Sequence, residues 1–294
     1  MRLRVVALVF LAGCSGGNLT TTLNGGVLYG PCAEETDVGG FSIDFSGPSA
    51  GGSVFYGTVA NRSLGSDYWR TLASEGACEL ITPDPAIACD PPCTGADGCY
   101  PDGTCAPDRI TLDVGIVEIS GLTSGSRSFE AYLGDYKAYE SNPGDLPSPP
   151  AAPGAVISLR AAGGSSAPFT LDGRGFAPLS QTGAPLTVTP GQPLALAWEP
   201  PSEPVTTRLL VHLVLARDEG LLEGPSADFI TCNLPDNGAG TIPALLLDPL
   251  IDHGVGTGPL LQLERLTVSS TQIAQGCVSF VVRTRSEQAV VVSP

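Results

Sequence analysis

Short apolar runs broken by glycine and proline dominate the hydrophobic pattern of this 294-residue chain. Ten runs are either continuously apolar or alternate apolar with polar positions: GFSIDFS, GSVFYGTVA, ITLDVGIVEIS, AVISLRA, PLTVT, PLALAWE, TRLLVHLVLA, LLQLERLTVSS, CVSFVVRT and QAVVVS. A period of two is that of a β-strand, whose successive side chains point to opposite faces of the sheet. The pattern predicts an all-β fold with an Ig-like β-sandwich architecture.

Helix signals are scarce. In IPALLLDPLIDHG, Pro243 suits a first helical turn and Gly254 suits a C-terminal cap. SDYWRTLAS is a weaker helical candidate. We therefore expect little helix.

The N-terminus carries an export signal. Arg2 and Arg4 form a basic region, and residues 5–11 form an apolar run that is much shorter than the roughly 20 residues needed to span a bilayer. The sequence Leu-Ala-Gly-Cys that ends at Cys14 resembles the lipobox of bacterial lipoproteins. That resemblance covers about the first fourteen residues of the chain.

The lipobox resemblance implies cleavage between Gly13 and Cys14 and attachment of acyl chains, such as palmitate, to Cys14. Two or more acyl chains anchor a protein stably. Ser15, in place of an aspartate, implies sorting to the outer membrane in Gram-negative members of the family. Residues 1–13 are then the signal peptide, and the small, polar residues 14–26 are predicted to form a flexible tether.

The chain is strongly acidic, with 30 Asp and Glu against 14 Lys and Arg and a net charge of -16. Cleavage would remove Arg2 and Arg4, leaving 12 basic residues and a net charge of -18. Affinity for nucleic acid comes largely from Lys and Arg contacts to phosphate. We therefore expect no nucleic-acid partner.

Eight cysteines remain besides Cys14, and an even number in an exported chain predicts four disulfides. They are Cys32, Cys78, Cys89, Cys93, Cys99, Cys105, Cys232 and Cys277. The middle four lie in a predicted disulfide-rich insert, residues 84–107, with the spacing C-x3-C-x5-C-x5-C. Within it we predict the pairs Cys89–Cys99 and Cys93–Cys105. The insert is similar to Cys-Gly-Asp knots in envelope lipoproteins of large-genome Gram-negative bacteria, which implies no particular activity.

Proximity along the chain favours Cys232–Cys277 and Cys32–Cys78 as the other pairs. However, the alternation in GCVSFVVRT places Cys277 on the face opposite Phe280, which argues against a core disulfide at Cys277. A zinc site is the alternative for the insert, since four thiolates can bind zinc. The insert lacks paired C-x2-C spacings, so we predict disulfides and no metal.

A Pro-rich segment, residues 142–154, predicts a linker between an N-terminal β module, residues 27–141, and a C-terminal β-sandwich domain, residues 155–294. A long loop crossing one large sandwich would have the same composition. The sequence leaves both organisations open.

No catalytic motif is evident. Only two histidines are present: His212 lies in an apolar strand pattern and His253 at the end of the predicted helix. A G-x-S-x-G match at residues 47–51 lies between two strand patterns, whereas a nucleophile elbow joins a strand to a helix. We predict no enzyme activity and no cofactor. The alternative is an envelope-glycan hydrolase with a carboxylate pair, although no motif selects the pair.

One aromatic cluster is the candidate binding surface. Phe129, Tyr132, Tyr136 and Tyr139 recur at i, i+3, i+7 and i+10 around Lys137, the sole lysine. Such a stripe is typical either of a packed amphipathic turn or of a contact surface for a sugar or protein. We therefore predict a lipid-anchored envelope protein with a binding or structural role, whose partners are the membrane and an envelope protein or glycan.

Overall fold

The computed structural model describes residues 32, 36–46, 52–63, 69–83, 89, 91–94, 97–99, 104–107, 109–132, 134, 136–142, 144–180, 186–203, 207–215, 228–256 and 258–293. The predicted signal peptide, Cys14 and the tether lie outside these residues. Among the described residues, no helix is long and apolar enough to cross a membrane.

Eighteen strands and one helix make up the described fold. The first nine strands are β1 (Asp37–Ser46), β2 (Ser53–Val59), β3 (Trp69–Glu75), β4 (Cys78–Pro83), β5 (Asp97–Cys99), β6 (Cys105–Pro107), β7 (Val117–Ser120), β8 (Arg127–Phe129) and β9 (Tyr139–Glu140). The remaining elements are β10 (Val156–Ala161), β11 (Phe169–Arg174), β12 (Leu186–Val188), β13 (Leu194–Ala197), β14 (Arg208–Val214), β15 (Phe229–Pro235), β16 (Ala239–Ile242), α1 (Ala244–Asp252), β17 (Leu260–Ile273) and β18 (Gly276–Val292).

A ten-stranded sheet forms the centre of the fold, in the order β3-β4-β15-β14-β17-β18-β1-β2-β9, with β12 beside the end of β18. A four-stranded sheet has the order β11-β10-β7-β8. Two small sheets pair β13 with β16 and β5 with β6. Most pairs are antiparallel, but β1 and β12 run parallel to β18.

Two hydrophobic cores lie against the large sheet. In the first core, β1, β2 and the start of β18 pack against the four-stranded sheet, with Phe41 and Phe280 facing Ile157 and Leu159. In the second core, β14 and the start of β17 pack against β13 and α1. Facing sheets with alternating buried side chains form a sandwich. The predicted all-β, Ig-like sandwich class, with a disulfide insert and little helix, is confirmed.

The sheets do not divide at the Pro-rich segment. Strand β1 pairs with β18, and β7 pairs with β10, so strands from both predicted domains share the same sheets and the first core. The segment itself is packed: Leu146 is 1% exposed, and its carbonyl accepts a hydrogen bond from the Ser53 amide at 3.3 Å. The topology corresponds to a long connection within one sandwich, because these pairings join residues far apart in sequence.

Of the two helical candidates, one is a helix in the structure and the other forms part of a strand. Pro243 is the N-cap of α1 and Gly254 follows it with a φ of 118°, so the predicted helix is confirmed. The helical prediction for SDYWRTLAS is wrong, because β3 begins at Trp69 and pairs with β4. Leu72 is 41% exposed while Ala73 packs on the second core, which is a strand's alternation.

Two of the four predicted disulfide pairs are correct and two are not. Cys89–Cys99 and Cys93–Cys105 are confirmed. The predictions Cys232–Cys277 and Cys32–Cys78 are wrong; the bonds are Cys78–Cys232 and Cys32–Cys277. Cys78 and Cys232 are 154 residues apart, but they lie directly opposite each other on β4 and β15. Proximity along the chain could not reveal that neighbourhood.

The thiols of the insert are used in bonds to one another. The Sγ atoms of Cys89, Cys93 and Cys99 lie within 4.8 Å of one another, a spacing that would suit a metal ion. Each of these atoms belongs to a disulfide, whereas structural zinc requires free thiolates. In this oxidised form one bond ties β5 to Cys89 and the other ties β6 to Cys93.

Candidate functional site

The predicted aromatic stripe is divided between the core and the surface. Its members lie on β8, on β9 and on the loop between these strands rather than on a helix. Phe129 and Tyr139 are 9% and 0% exposed and belong to the first core. Tyr132 and Tyr136 are 52% and 50% exposed. Only the second pair presents about half of each side chain to solvent.

Tyr139 anchors the loop to the core. Its hydroxyl accepts a hydrogen bond from the Val114 amide at 2.8 Å and donates to Asp113 Oδ1 at 3.2 Å. Burial raises the pKa of Tyr139, and the nearby Asp113 carboxylate acts in the same direction. The ring packs edge-on to Phe41 at 5.7 Å between centroids. Tyr139 thereby fixes where the exposed loop ends.

The exposed rings are held in place by hydroxyl hydrogen bonds. We call Tyr56, Tyr132 and Tyr136 the tyrosine patch. The Tyr56 and Tyr136 hydroxyls are 2.7 Å apart, and the Tyr132 hydroxyl donates to Glu140 Oε2 at 3.2 Å. Partial burial raises the pKa of Tyr132, as does the adjacent Glu140 carboxylate. Rings that are already oriented lose less conformational entropy when a partner binds.

Sequence reasoning missed Tyr56, although a signal was present. In GSVFYGTVA the alternation places Phe55 in the core and Tyr56 on the other face. The pairing of Tyr56 with Glu140 across β2 and β9 could not be derived from that alternation. Lys137, by contrast, is half-buried, and its backbone amide donates to Thr111 Oγ1 at 2.5 Å.

A cleft of about 550 Å³ lies between β8 and the chain that follows β9. Its lining residues are Arg127, Ser128, Phe129, Glu130, Glu140, Asn142, Gly144 and Asp145. The lining therefore contains three carboxyl groups and one guanidinium group. Asp145 Oδ2 accepts hydrogen bonds from the Asn142 backbone amide at 2.8 Å and from its side-chain amide at 3.2 Å, which holds that wall of the cleft. Glu140 joins the cleft to the tyrosine patch.

A second polar group crosses the large sheet on the face opposite the first core. Asp44 binds Arg283 through two hydrogen bonds of 2.5 and 2.8 Å, and Arg285 Nε lies 2.8 Å from Glu264 Oε1. Burial alone would raise the pKa of Glu264, but Arg285 and Arg283 lower it to about 2. We call these four residues the charge ladder. All its charges have partners of opposite sign.

His212 lies beside the charge ladder, and its neighbours along the sheet are Thr231 and then Glu79. Burial lowers the pKa of His212, which keeps the ring neutral at physiological pH. Burial also raises the pKa of Glu79, although a hydrogen bond from Thr71 opposes that shift. These shifts are of the kind that burial produces without catalysis.

Glu79 and Glu264, the buried glutamates of this sheet, do not form an adjacent carboxylate pair. They lie three strands apart, which separates the backbones by about 14 Å at roughly 4.8 Å per strand. Glycosidase carboxyl groups are about 5 to 9.5 Å apart. The glycan-hydrolase alternative therefore stays a prediction with no pair assigned.

Asp248 and His253, which follow the G-x-S-x-G match in the order Ser, Asp, His that a hydrolase triad could use, are bonded to other residues. His253 Nδ1 bonds to the Asp228 carboxylate, and Asp248 Oδ1 accepts a hydrogen bond from the Gly191 amide at 2.7 Å. The G-x-S-x-G match lies outside the described residues, but the strands on either side of it, β1 and β2, pair in antiparallel fashion. Along the chain the match therefore lies between two strands, as the sequence predicts, and not between a strand and a helix.

A closed ionic network joins the two cores. Arg265 is 1% exposed, and its Nε donates to Asp236 Oδ2 at 2.6 Å. Asp236 also accepts hydrogen bonds of 2.7 Å from Trp198 Nε1 and of 2.7 Å from Thr207 Oγ1. Arg265 Nη1 donates to the Ala177 carbonyl at 3.3 Å. We call these residues the junction network, and its saturation indicates a structural role.

Comparison with known proteins adds little to this geometry. No family model and no curated protein matches the chain. Among solved structures, the chicken CNTN1 FN1-FN3 domains align with 77% of this chain at 10% identity and a TM-score of 0.19. The chain covers 65% of that structure. The fold assignment accordingly rests on the sheet topology itself.

Proposed function

We propose that this protein is a lipid-anchored component of the cell envelope that binds a partner through the tyrosine patch and the adjoining cleft, without catalysis. Four disulfides indicate an exported protein in an oxidising compartment. The lipobox resemblance supports anchoring through Cys14 in the outer membrane.

The observation that carries the binding role is the state of Tyr132 and Tyr136. Both rings leave half of their surface in water, yet hydrogen bonds orient them beside a cleft of about 550 Å³. Tyrosines with this combination of apolar ring and polar tip are enriched at the energetic centres of interfaces. The charge ladder and junction network, in contrast, have their charges paired internally.

Intact mass spectrometry of the protein from its native membrane tests the anchor. We expect a chain beginning at Cys14 and carrying acyl groups, with a gain of eight hydrogens on reduction from four disulfides. A Cys14→Ser variant is the matched control and should carry no acyl mass. A wild-type chain cut elsewhere and free of lipid would contradict the anchor.

Retention on isolated envelope material tests the binding surface. The Tyr132→Ala, Tyr136→Ala double variant should lower retention at least about tenfold, the change expected from losing a buried aromatic contact. Val156→Ala removes an apolar side chain of 41% exposure outside the patch and serves as control. Equal retention of all three proteins would refute the assignment of this surface.

A further inference from the structure

Strand β8 is one of the two edge strands of the four-stranded sheet, the other being β11. The sheet order ends at β8, and among the described residues β8 pairs with β7 alone. A strand in an antiparallel pair directs alternate backbone N–H and C=O groups away from its neighbour. No hydrogen bond within the described residues satisfies the outward groups of residues 127–130. An incoming strand can pair with these groups.

The cleft lies directly against this edge. Arg127, Ser128 and Phe129, which are the whole of β8, line one wall, and Glu140, Asn142, Gly144 and Asp145 line the other. The second wall follows β9, which has only two residues and is the edge of the ten-stranded sheet. Among the described residues, an edge strand of each sheet of the sandwich therefore borders one open cleft.

The charge around the edge selects the occupant. Glu130, Glu140 and Asp145 outnumber Arg127, and the whole chain carries a net charge of -16. This balance favours a basic segment and disfavours a second copy of this acidic chain, since like charges across an interface reduce affinity. The exposed faces of Tyr132 and Tyr136 can also receive Lys or Arg side chains through cation–π contacts.

We propose that β8 is a docking strand, to which an extended, Lys- or Arg-bearing segment of an envelope partner adds as the next strand in the cleft. Main-chain hydrogen bonds to residues 127–130 hold the segment, and the carboxylates and the tyrosine patch select its side chains. This inference rests on the proposed function, because it names the class of partner for the same surface.

Peptide titration of the oxidised full chain tests the inference. The probe is a fluorescent nine-residue peptide that alternates lysine and valine, and its binding is followed by anisotropy. One control peptide has glutamate in place of lysine, and the other carries N-methyl groups on alternate amides. N-methylation removes the hydrogen-bond donors of one strand edge, and glutamate reverses the charge that the cleft favours. We therefore expect both control peptides to bind at least about tenfold more weakly.

Two lysine substitutions separate position from net charge. Glu130→Lys reverses a charge in the cleft and should weaken the lysine–valine peptide about tenfold. Glu75→Lys makes the same change at an exposed position on β3, at the opposite edge of the ten-stranded sheet from β9 and far outside the cleft lining, and should alter affinity less than about twofold. Bound peptide should also slow hydrogen exchange at residues 127–130.

The results of these experiments separate strand addition at β8 from the proposed binding function on which it rests. Equal binding of the N-methylated peptide, or equal loss in both lysine variants, would overturn strand addition. Binding of a neutral oligosaccharide that depends on Tyr132 and Tyr136, without peptide binding, would overturn the docking strand and leave the binding function intact. If neither peptide nor oligosaccharide binds, and envelope retention is independent of the patch, both proposals fail.

Discussion

Hydrogen bonds orient the side chains of both the junction network and the tyrosine patch, but the two regions differ in how much of those side chains is left in solvent. In the junction network, Asp236 takes hydrogen bonds from an arginine, a tryptophan and a threonine, and almost no surface remains. In the tyrosine patch, each hydroxyl has a partner, but Tyr132 and Tyr136 expose half of their rings. Polar groups whose hydrogen bonds are all made inside the fold indicate a structural role. Side chains that are oriented by hydrogen bonds but left open to solvent indicate a contact surface.

The largest expected effect comes from breaking the junction network. Asp236→Ala leaves the Arg265 guanidinium buried without its carboxylate, which should lower the free energy of unfolding by about 3 to 5 kcal/mol. Denaturant unfolding measures this change. The exposed Asp172→Ala variant, which loses one solvent-exposed hydrogen bond from Ser158, is the control and should change it by no more than about 1 kcal/mol. A similar small loss at Asp236 would remove the contrast between the closed and open regions.

The second largest effect is expected at low pH, where protonation of Glu264 should weaken the charge ladder. The pKa of Glu264 is about 2 in the folded protein against an ordinary value of 4.5. Its contribution, on the order of 3 kcal/mol, is therefore present above pH 4.5 and lost as the pH falls toward 2. Urea midpoints between pH 7 and pH 2 should show this slope, and Glu264→Gln should flatten it. An unchanged slope in the variant would contradict the assignment.

A pair of tyrosine variants compares a buried tyrosine of the first core with an exposed tyrosine of the patch. Tyr139→Phe leaves the Val114 amide without its acceptor and should lower the free energy of unfolding by about 1 to 3 kcal/mol. Tyr132→Phe removes an exposed hydroxyl and should change it by less than about 0.5 kcal/mol. Thermal unfolding of both proteins provides the comparison. Equal losses would mean that the patch is as structural as the core tyrosine.

The smallest effect is expected at Glu79. Burial raises the pKa of Glu79 above 4.5, so its ionised form destabilises the folded state at neutral pH. Glu79→Gln should raise the free energy of unfolding by up to about 1 kcal/mol at pH 7. The gain should shrink as the pH falls through the folded pKa and vanish below 4.5, where both states are protonated. A gain that persists at pH 3 would disprove this explanation.

Local patterns predicted much of the fold and part of the site. The alternation in CVSFVVRT places Phe280 in the first core and Cys277 on the opposite face, as the structure has it. The same rule at GSVFYGTVA could have identified Tyr56. In LLQLERLTV, Arg265 shares the period of Leu261 and Leu263, and a charge at an apolar position could have signalled a buried ion pair.

Other features depended on strands that are distant in sequence. The helical spacing of Phe129, Tyr132, Tyr136 and Tyr139 was compatible with one face, but β8 and β9 belong to different sheets. The split into two buried and two exposed rings therefore needed the sheet assignment. The cleft follows from the same arrangement, because its walls are the edges of two sheets.

By itself the sequence determined the all-β class, the helix α1, the two disulfides inside the insert and the prediction of export with a lipid anchor. These depend on neighbours within about ten to twenty residues, over which side-chain period, turn residues and cysteine spacing act directly. The tertiary structure decided that Cys78 meets Cys232, that Arg265 meets Asp236 and that β8 faces β9 across a cleft. Such contacts arise from sheet order, which is set by the packing of many strands together.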